Sequence, residues 1–474
     1  METAGLWMLA AVAALLLATG LPAWMVLTGV ALAFAGFGAA LGAFPLSLIA
    51  ALASRLVGLL ENDLLQALPL YVLMGTLLNR LPLADILFRV ASRVLARSGS
   101  GMPLAGLALG VLLAPMGGSV GASVAMLSRT VQPRLEAAGV PPARNVALVC
   151  VASTLGVVVP PSLVLIFLGD AMLRAHTEAA NVTGLAGRII NTQDVFHGAL
   201  VPAGVFLLLC AAVTWWTGRS SARRPIPEAT RRDALTAAFA AGFIVVLLGS
   251  VALGYLYAVE AAATGGMALA AYGLATRTLR GAVLRAALME TLAITGAIFA
   301  LLVAATFFTL VQRAFGTDRW LTAAFAHLGA GALTALAVTL LALAACALVL
   351  DAFEMIFVVI PLLIPPLLTR VPDATWVAVL TLLILQASFL IPPLGYAVLM
   401  ARSRNANPVP TSALARALLP YLAAQLLVLA LVIAFPQALW REGPVPSGAQ
   451  TVPTVSDEKA RELLEQQLQR NEDK

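Results

Sequence analysis

The residues best placed to do chemistry are oxygen-bearing side chains set beside helix breakers inside apolar sequence. Ser153, Thr154 and Gly156 precede Pro160-Pro161, and Gln386, Ala387 and Ser388 precede Pro392-Pro393. Proline removes a backbone donor and clashes with the preceding turn, so two in succession open a helix. The freed carbonyls then need partners that hydrocarbon cannot supply. A small hard cation or a water-filled cavity supplies them, and hydroxyl and amide oxygens beside unwound carbonyls suit Na⁺. The alternative is a kinked helix healed by neighbouring side chains.

Two further breaks accompany the proline pairs. In the first, Gly118, Ser119, Gly121 and Ser123 fall within Met116-Gly-Gly-Ser-Val-Gly-Ala-Ser123. Glycine permits an unwound turn and close backbone approach, and the serines offer oxygens; small residues also pack membrane helices tightly. In the second, Asp351 and Glu354 stand between two uncharged runs. A carboxylate at such depth is expensive and faces a cavity or a partner. At i and i+3 the two share one helix face. The bland alternative is an interface loop between two spans.

The elements that must hold these residues lie in a bilayer. The chain has 474 residues, 61% hydrophobic and 11% charged, with a net charge of +6 and a mean hydropathy of +0.95. A soluble domain carries roughly 25% charge. From Thr3 to Ser54 there is no charged residue, and eleven further uncharged stretches follow, which predicts ten to twelve spans plus re-entrant or broken pieces. With Glu2 and no basic residue before Arg55, the N-terminus reads as a first span rather than a secretory leader. Arg219, Arg223, Arg224, Arg231 and Arg232 crowd one loop, placed in the cytoplasm by the positive-inside rule. A soluble-looking insert spans roughly Arg174–His197, and the tail beyond Trp440 is polar with a short capped helix.

The landmarks repeat. Asn79-Arg80 and Gln312-Arg313 end apolar runs 233 positions apart; Gly118 and Asp351 are again 233 apart; the proline pairs are 232 apart. Discontinuous helices at matching positions in two halves point to the ion or substrate site of a membrane carrier. Charged residues at membrane depth are few and give no clear anion receptor. His176, His197 and His327 are scattered without metal spacing and Cys150, Cys210 and Cys346 sit in apolar runs, so an enzyme is not expected. A nucleic-acid partner is not expected either. A passive channel leaves the matched breaks unexplained.

In order along the chain, Pro69-Leu-Tyr-Val-Leu-Met-Gly75, Val120-Gly-Ala-Ser-Val, Ala152-Ser-Thr-Leu-Gly-Val-Val-Val-Pro-Pro-Ser162 with Leu168-Gly-Asp170, Val259-Glu-Ala-Ala-Ala-Thr-Gly265, Leu350-Asp-Ala-Phe-Glu354 and Leu385-Gln-Ala-Ser-Phe-Leu-Ile-Pro-Pro-Leu-Gly395 resemble the large membrane subunit of tripartite ATP-independent periplasmic (TRAP) transporters. The resemblance implies an all-α polytopic fold of two inverted repeats with helical hairpins and discontinuous helices, working as an elevator in the bacterial inner membrane. It implies Na⁺-coupled uptake of an organic acid, a periplasmic substrate-binding protein and a separate four-span membrane subunit, with no other cofactor. Carried over, Na⁺ sites are expected at Gly118, Ser119, Gly121, Ser123, Gly156, Asp351 and Ser388, and substrate or hairpin roles at Thr154, Pro160, Pro161, Glu354, Gln386, Pro392 and Pro393. The implied segments are scaffold helices over 1–67, a first transport repeat over 68–175, the polar insert and scaffold helices over 176–290, a second transport repeat over 291–405, a last scaffold span over 406–440 and the tail over 441–474. Two departures stand out. Ser123 stands where many members carry aspartate, which leaves the first ion site weaker or built otherwise, and Ala258-Val259 replaces the usual threonine-proline. A stand-alone ion-coupled carrier of the same broken-helix plan is the competing reading.

Overall fold

The computed structural model describes residues 3–42, 47–61, 63–117, 119–160, 162–184, 189–218, 229–327, 331–393, 395–403 and 409–439. The expected tail over 441–474 lies outside them. The described residues form helices and turns, with no strand among them.

The first half runs α1 (Ala4–Thr19), α2 (Ala23–Ala40), α3 (Ser47–Leu60), α4 (Asp63–Arg80), α5 (Leu83–Val94), α6 (Gly101–Leu113), α7 (Val120–Thr130), α8 (Gln132–Ala137), α9 (Pro142–Val158), α10 (Leu163–Thr183) and α11 (Thr192–Gly218). The second runs α12 (Arg231–Ala252), α13 (Ala258–Ala275), α14 (Gly281–Ala314), α15 (Thr317–His327), α16 (Ala332–Ala347), α17 (Ala352–Leu368), α18 (Ala374–Leu390), α19 (Tyr396–Ser403) and α20 (Thr411–Ala434). Helix starts at Gly101 and Ala332, Val120 and Ala352, Pro142 and Ala374, and Leu163 and Tyr396 are offset by 231 to 233 positions. The sequence repeat is therefore a repeat of elements.

Packing respects the same exchange. α4 lies against α13, and its counterpart α14 lies against α2. α6 packs on α9 as α16 packs on α18, while α9 and α18, equivalent to each other, meet at the centre. α10 packs on α17 and α19 on α7. Each hairpin is thus braced by the helix that follows the proline break of the other half. Phe167 of α10 makes edge contacts with Phe353 and Phe357 of α17, at centroid distances of 5.9 and 5.3 Å. A ring added to this buried surface brings both area and orientation.

Five helices, α2, α11, α12, α14 and α20, are long and apolar enough to cross a membrane. The bent pairs Ala51–Leu60 with Leu65–Arg80 (51°) and Pro142–Val158 with Leu163–Thr183 (41°) raise the number to seven. The expected ten to twelve full spans are not reached among the described residues. Hydropathy counts apolar runs, and α1, α6, α16, α17 and α18 are apolar helices of 10–17 residues, below the roughly 20 residues a straight crossing needs. The soluble-looking insert is corrected as well. α10 continues through it to Thr183 and stops at Gly184, whose φ of 66° is left-handed. Asp170, Arg174 and Glu178 sit one turn apart on that helix, the last two within the expected insert. Expected segment limits at 67/68, 175/176 and 290/291 fall inside α4, α10 and α14.

Candidate functional site

The first hairpin turns through a 3-10 segment, Pro115–Gly117. Ser119 then caps α7, its Oγ accepting from the Ala122 N–H at 3.1 Å, as short hydroxyl residues do at helix starts. One turn on, buried Ser123 donates its hydroxyl to Ser119 O at 3.1 Å and approaches Ala114 O at 3.4 Å. Facing them, α9 carries buried Ser153, which donates to Cys150 O at 2.8 Å, and buried Thr154, which donates to Val151 O at 2.9 Å. α9 ends at Val158, the chain extends through Val159 and past Pro160, and Ser162 caps α10. Ser162 Oγ accepts from Leu165 N–H at 3.1 Å and donates to Val157 O at 3.2 Å.

What lets these pieces meet is Gly156. A Cβ there would stand 2.5 Å from the Ala114 carbonyl carbon and 2.6 Å from its oxygen. No side chain fits, and the hairpin turn rests directly on the α9 backbone. Between them lies a cavity of about 10 Å³ lined by Ala114, Ser119, Ser123, Ser153, Gly156 and Ser162 among others. That is room for one water or one small ion. Each of Ser123, Ser153 and Ser162 donates its single proton to a backbone carbonyl, so at least one lone pair on each remains available to a cation.

The second hairpin has the same backbone plan and different chemistry. Asp351 caps α17 with extended backbone, and its N–H donates to Glu354 Oε2 at 3.1 Å. α17 then widens into a π turn over Met355–Val359 immediately before Pro361, where the missing N–H breaks the α ladder. With α7 starting at Val120 and α17 at Ala352, the residue equivalent to Asp351 is Ser119, one position later than the pairing with Gly118 that the sequence suggested. A cap position, defined by the first helical residue, fixes that register. On the same count Gly156 matches Ser388 and Thr154 matches Gln386. Ser388 is buried and donates to Ile384 O at 2.9 Å. Gln386 is fully buried, and neither its Nε2 nor its Oε1 has a hydrogen-bond partner among the described residues. A buried primary amide left so costs on the order of 1–3 kcal/mol per unpaired group. Pro392 and Pro393, joined by a cis bond, turn the chain into α19.

The expected residues therefore divide. Ser119, Ser123 and Gly156 come together at one cavity, with Thr154 and Pro160 on the elements beside it. Asp351, Gln386, Ser388, Pro392 and Pro393 occupy the equivalent places in the second half. Gly121 instead faces α19, where a Cβ would stand 2.9 Å from the Tyr396 hydroxyl. Glu354 lines a small apolar cavity with Leu9, Val12, Ala23 and Leu27 of α1 and α2. Gly118 and Pro161 lie outside the described residues. Ser153, expected beside Thr154, lines the cavity, and so does Ser162, which the sequence singled out only as part of the proline motif; Tyr396 lies against Gly121 and not at the cavity.

A larger cavity, about 500 Å³, opens between α3, α4, α10, α14 and α17. Arg55, Arg174 and Arg313 line it against Asp170 and Glu178, with Phe167 and Phe357 on its wall. Arg174 pairs with Asp170 at 3.0 Å and Arg313 with Glu178 at 2.7 Å; Arg55 has no ion-pair partner among the described residues. None of the expected ion or substrate residues lines this cavity. The sequence showed no clear anion receptor; in the structure three guanidinium groups far apart in sequence line one cavity, two of them paired with carboxylates. The Asp170, Arg174, Glu178 spacing of four was the available signal, split by an expected insert that began at Arg174. Among the described residues, no group of three or more His, Cys, Asp or Glu side chains could hold a metal ion.

Comparison with known proteins follows this geometry. Residues 10–438 match the family model described as tripartite ATP-independent periplasmic transporter, DctM component. The chain is 24% identical to the sialic acid TRAP transporter large permease protein SiaM of Vibrio cholerae, covering 81% of this chain and 87% of that one. It is 24% identical to the sialic acid TRAP transporter permease protein SiaT of Haemophilus influenzae over 83% of this chain and 62% of that one. Against the C4-dicarboxylate TRAP transporter large permease protein DctM of Rhodobacter capsulatus it is 26% identical over 43% of this chain. That last match spans only 47% of the relative's length. Among solved structures, the Alcanivorax borkumensis YdaH transporter superposes with a TM-score of 0.60 at 18% identity, covering 84% of this chain and 90% of that one. Neisseria gonorrhoeae MtrF, described as one of a class of antimetabolite efflux pumps, superposes at 0.50 and 15% identity, covering 82% and 83%. These likenesses fix the fold class as an all-α polytopic one of two inverted repeats with hairpins and broken helices. With its family model matched along nearly the whole length, the chain belongs to the DctM family of tripartite ATP-independent periplasmic transporters.

Proposed function

We propose that the chain is the transport subunit of a secondary transporter in the bacterial inner membrane that couples uptake of an organic acid to Na⁺ entry. The observation that carries the reading is the serine-lined cavity where the first hairpin seats on the broken helix, matched in the second half by a carboxylate-capped hairpin. Ser119, Ser123, Ser153 and Ser162 offer neutral oxygens to one ion; Asp351 offers a carboxylate and Ser388 a hydroxyl to a second. Occupying both joins each hairpin to its broken helix. That lowers the cost of moving a charged solute through the bilayer. α6–α10 and α16–α19 then move together as an elevator against the reciprocally packed α2, α4, α13 and α14.

The substrate class follows from chemistry and kinship. The relatives are named for C4-dicarboxylates and sialic acid, both carboxylic acids. The cavity bearing Arg55, Arg174 and Arg313 has one more cationic than anionic group, and guanidinium is suited to carboxylate. Gln386 and Thr154 are the polar groups at the centre of the repeat that would meet the solute beside the proline breaks. Delivery by a periplasmic binding protein, and a separate four-span membrane subunit, complete the assembly.

The test is uptake into liposomes holding this chain with and without the four-span subunit, with binding protein outside. Uptake driven by an inward Na⁺ gradient and dependent on the binding protein is expected. Uptake that ignores the Na⁺ gradient sinks the coupling, and uptake without any binding protein favours the stand-alone carrier.

A further inference from the structure

α11 ends with Trp215 and Trp216, both exposed on the surface of the protein. Adjacent exposed tryptophans at the end of a long apolar helix mark the level of the membrane–water boundary. At that level, between α6, α9, α11 and α20, is a cavity of about 150 Å³ that takes no part in the hairpin site. Its polar lining is Arg144, Arg416, Thr214, Thr217 and Tyr421, and among the described residues no carboxylate lines it. Pro103, Leu148 and Pro420 supply an apolar wall.

The polar groups are ordered but not used up. Arg144 donates one Nη1 bond to Thr217 O at 2.9 Å, and Arg416 donates through Nε to Ser412 O at 3.3 Å. A guanidinium has five N–H donors, so most remain. Thr214 and Tyr421 share a hydroxyl contact of 3.0 Å, and Thr217 donates to Val213 O at 2.8 Å. Two forks of positive charge beside hydroxyls are suited to a tetrahedral oxyanion.

The chain leaving α11 carries Arg219, Arg223 and Arg224, which assigns this end of the helix to the cytoplasmic side. The inner leaflet there is negatively charged, and basic pockets between helices at that depth take up phosphate headgroups. We propose that this cavity binds the phosphate of an anionic phospholipid from the cytoplasmic leaflet. A free phosphate ion shares the oxyanion chemistry. The apolar wall and the tryptophan level favour the lipid, whose acyl chains continue where the phosphate ends.

The full chain, purified in detergent and stripped of lipid, is titrated with phosphatidylglycerol, with phosphatidylcholine of the same acyl chains, and with inorganic phosphate alone. Native mass spectrometry and thermal melting read the binding. Phosphatidylglycerol is expected to bind and raise the melting temperature, phosphatidylcholine to bind at least roughly tenfold more weakly, and phosphate at millimolar concentration to do neither. The double substitution Arg144→Gln with Arg416→Gln is expected to cost roughly tenfold in phosphatidylglycerol affinity, while Arg285→Gln on α14 leaves it unchanged. Equal binding of the two lipids, or undiminished binding by the double variant, overturns the site. A melting shift with phosphate equal to that with phosphatidylglycerol overturns the lipid assignment in favour of a solute anion. Should the double variant not fold, hydrogen exchange on the unaltered chain decides. Phosphatidylglycerol must then protect the amides of residues 143–148, 411–419 and 421, and no added protection there overturns the proposal.

Discussion

The two hairpins turn at equivalent places and fill them with different chemistry. In the first, four serines surround a space for one small particle, and the close seat of Ala114 on Gly156 builds that space. In the second, Asp351 replaces Ser119 at the cap and Ser388 replaces Gly156 at the seat. The first site is therefore made by shape, with neutral oxygens brought together by a contact no side chain could survive. The second is made by charge. A neutral hydrogen-bonding group contributes roughly 0.5–1.5 kcal/mol and a charged one roughly 1.5–3 kcal/mol, so on the proposed Na⁺ reading the second half is expected to be the tighter of the two. The geometry of the first is the less forgiving one.

The largest expected effect tests shape. Gly156→Ala puts a Cβ 2.5 Å from a backbone carbon, where no flexible side chain can move aside. Overpacking of this kind costs roughly 1–3 kcal/mol, and the hairpin must lift from α9. Na⁺-driven uptake in liposomes is expected to fall to about a tenth or less, with a lower melting temperature. The matched change Ser388→Ala removes one hydroxyl and is expected to leave folding intact. If the two substitutions are equally tolerated, the first site is not held by close approach.

Charge comes second in size. Asp351→Asn is expected to raise the Na⁺ concentration for half-maximal uptake roughly 10- to 100-fold, and Ser119→Ala, at the equivalent cap, roughly 2- to 10-fold. Sodium titration of the same liposomes measures both. Equal shifts would erase the asymmetry, and a larger shift for Ser119→Ala would reverse it. Ser153→Ala, which removes one neutral oxygen from the four, belongs at the lower end of the serine range.

Much of this was legible before any coordinates. The repeat, the four breaks and the oxygen-bearing residues beside them follow from proline and glycine chemistry in apolar sequence, because a helix opened in hydrocarbon must be repaired by something. What the sequence could not supply was tertiary. Ser162 enters the first cavity because α10 starts with a cap, and Tyr396 reaches Gly121 because α19 crosses to the opposite hairpin; neither contact has a local signature. The described residues hold five to seven helices long enough to cross a membrane and five shorter apolar ones, a division hydropathy does not make, since it measures how apolar a run is and not whether it turns back. Arg55, Arg174 and Arg313 are each unremarkable in sequence. Their convergence depends on α3, α10 and α14 enclosing one cavity.

The smallest effect asks whether the second site holds one carboxylate or two. Glu354 sits one turn from Asp351, and from sequence the pair shares a helix face. In the structure Glu354 accepts the Asp351 N–H at 3.1 Å and lines an apolar cavity with α1 and α2, which makes it a cap. Glu354→Gln keeps an acceptor oxygen and is expected to leave the Na⁺ half-saturation unchanged. Glu354→Ala loses the cap at a cost of about 1 kcal/mol and is expected to lower the melting temperature by about 1–2 °C in a chain of this size. Its Na⁺ dependence should hold. If Glu354→Gln instead weakens Na⁺ as much as Asp351→Asn does, both carboxylates face the ion. The second hairpin would then owe its affinity to a doubled charge, and the contrast with the serine site would be steeper than a single substitution at the cap makes it.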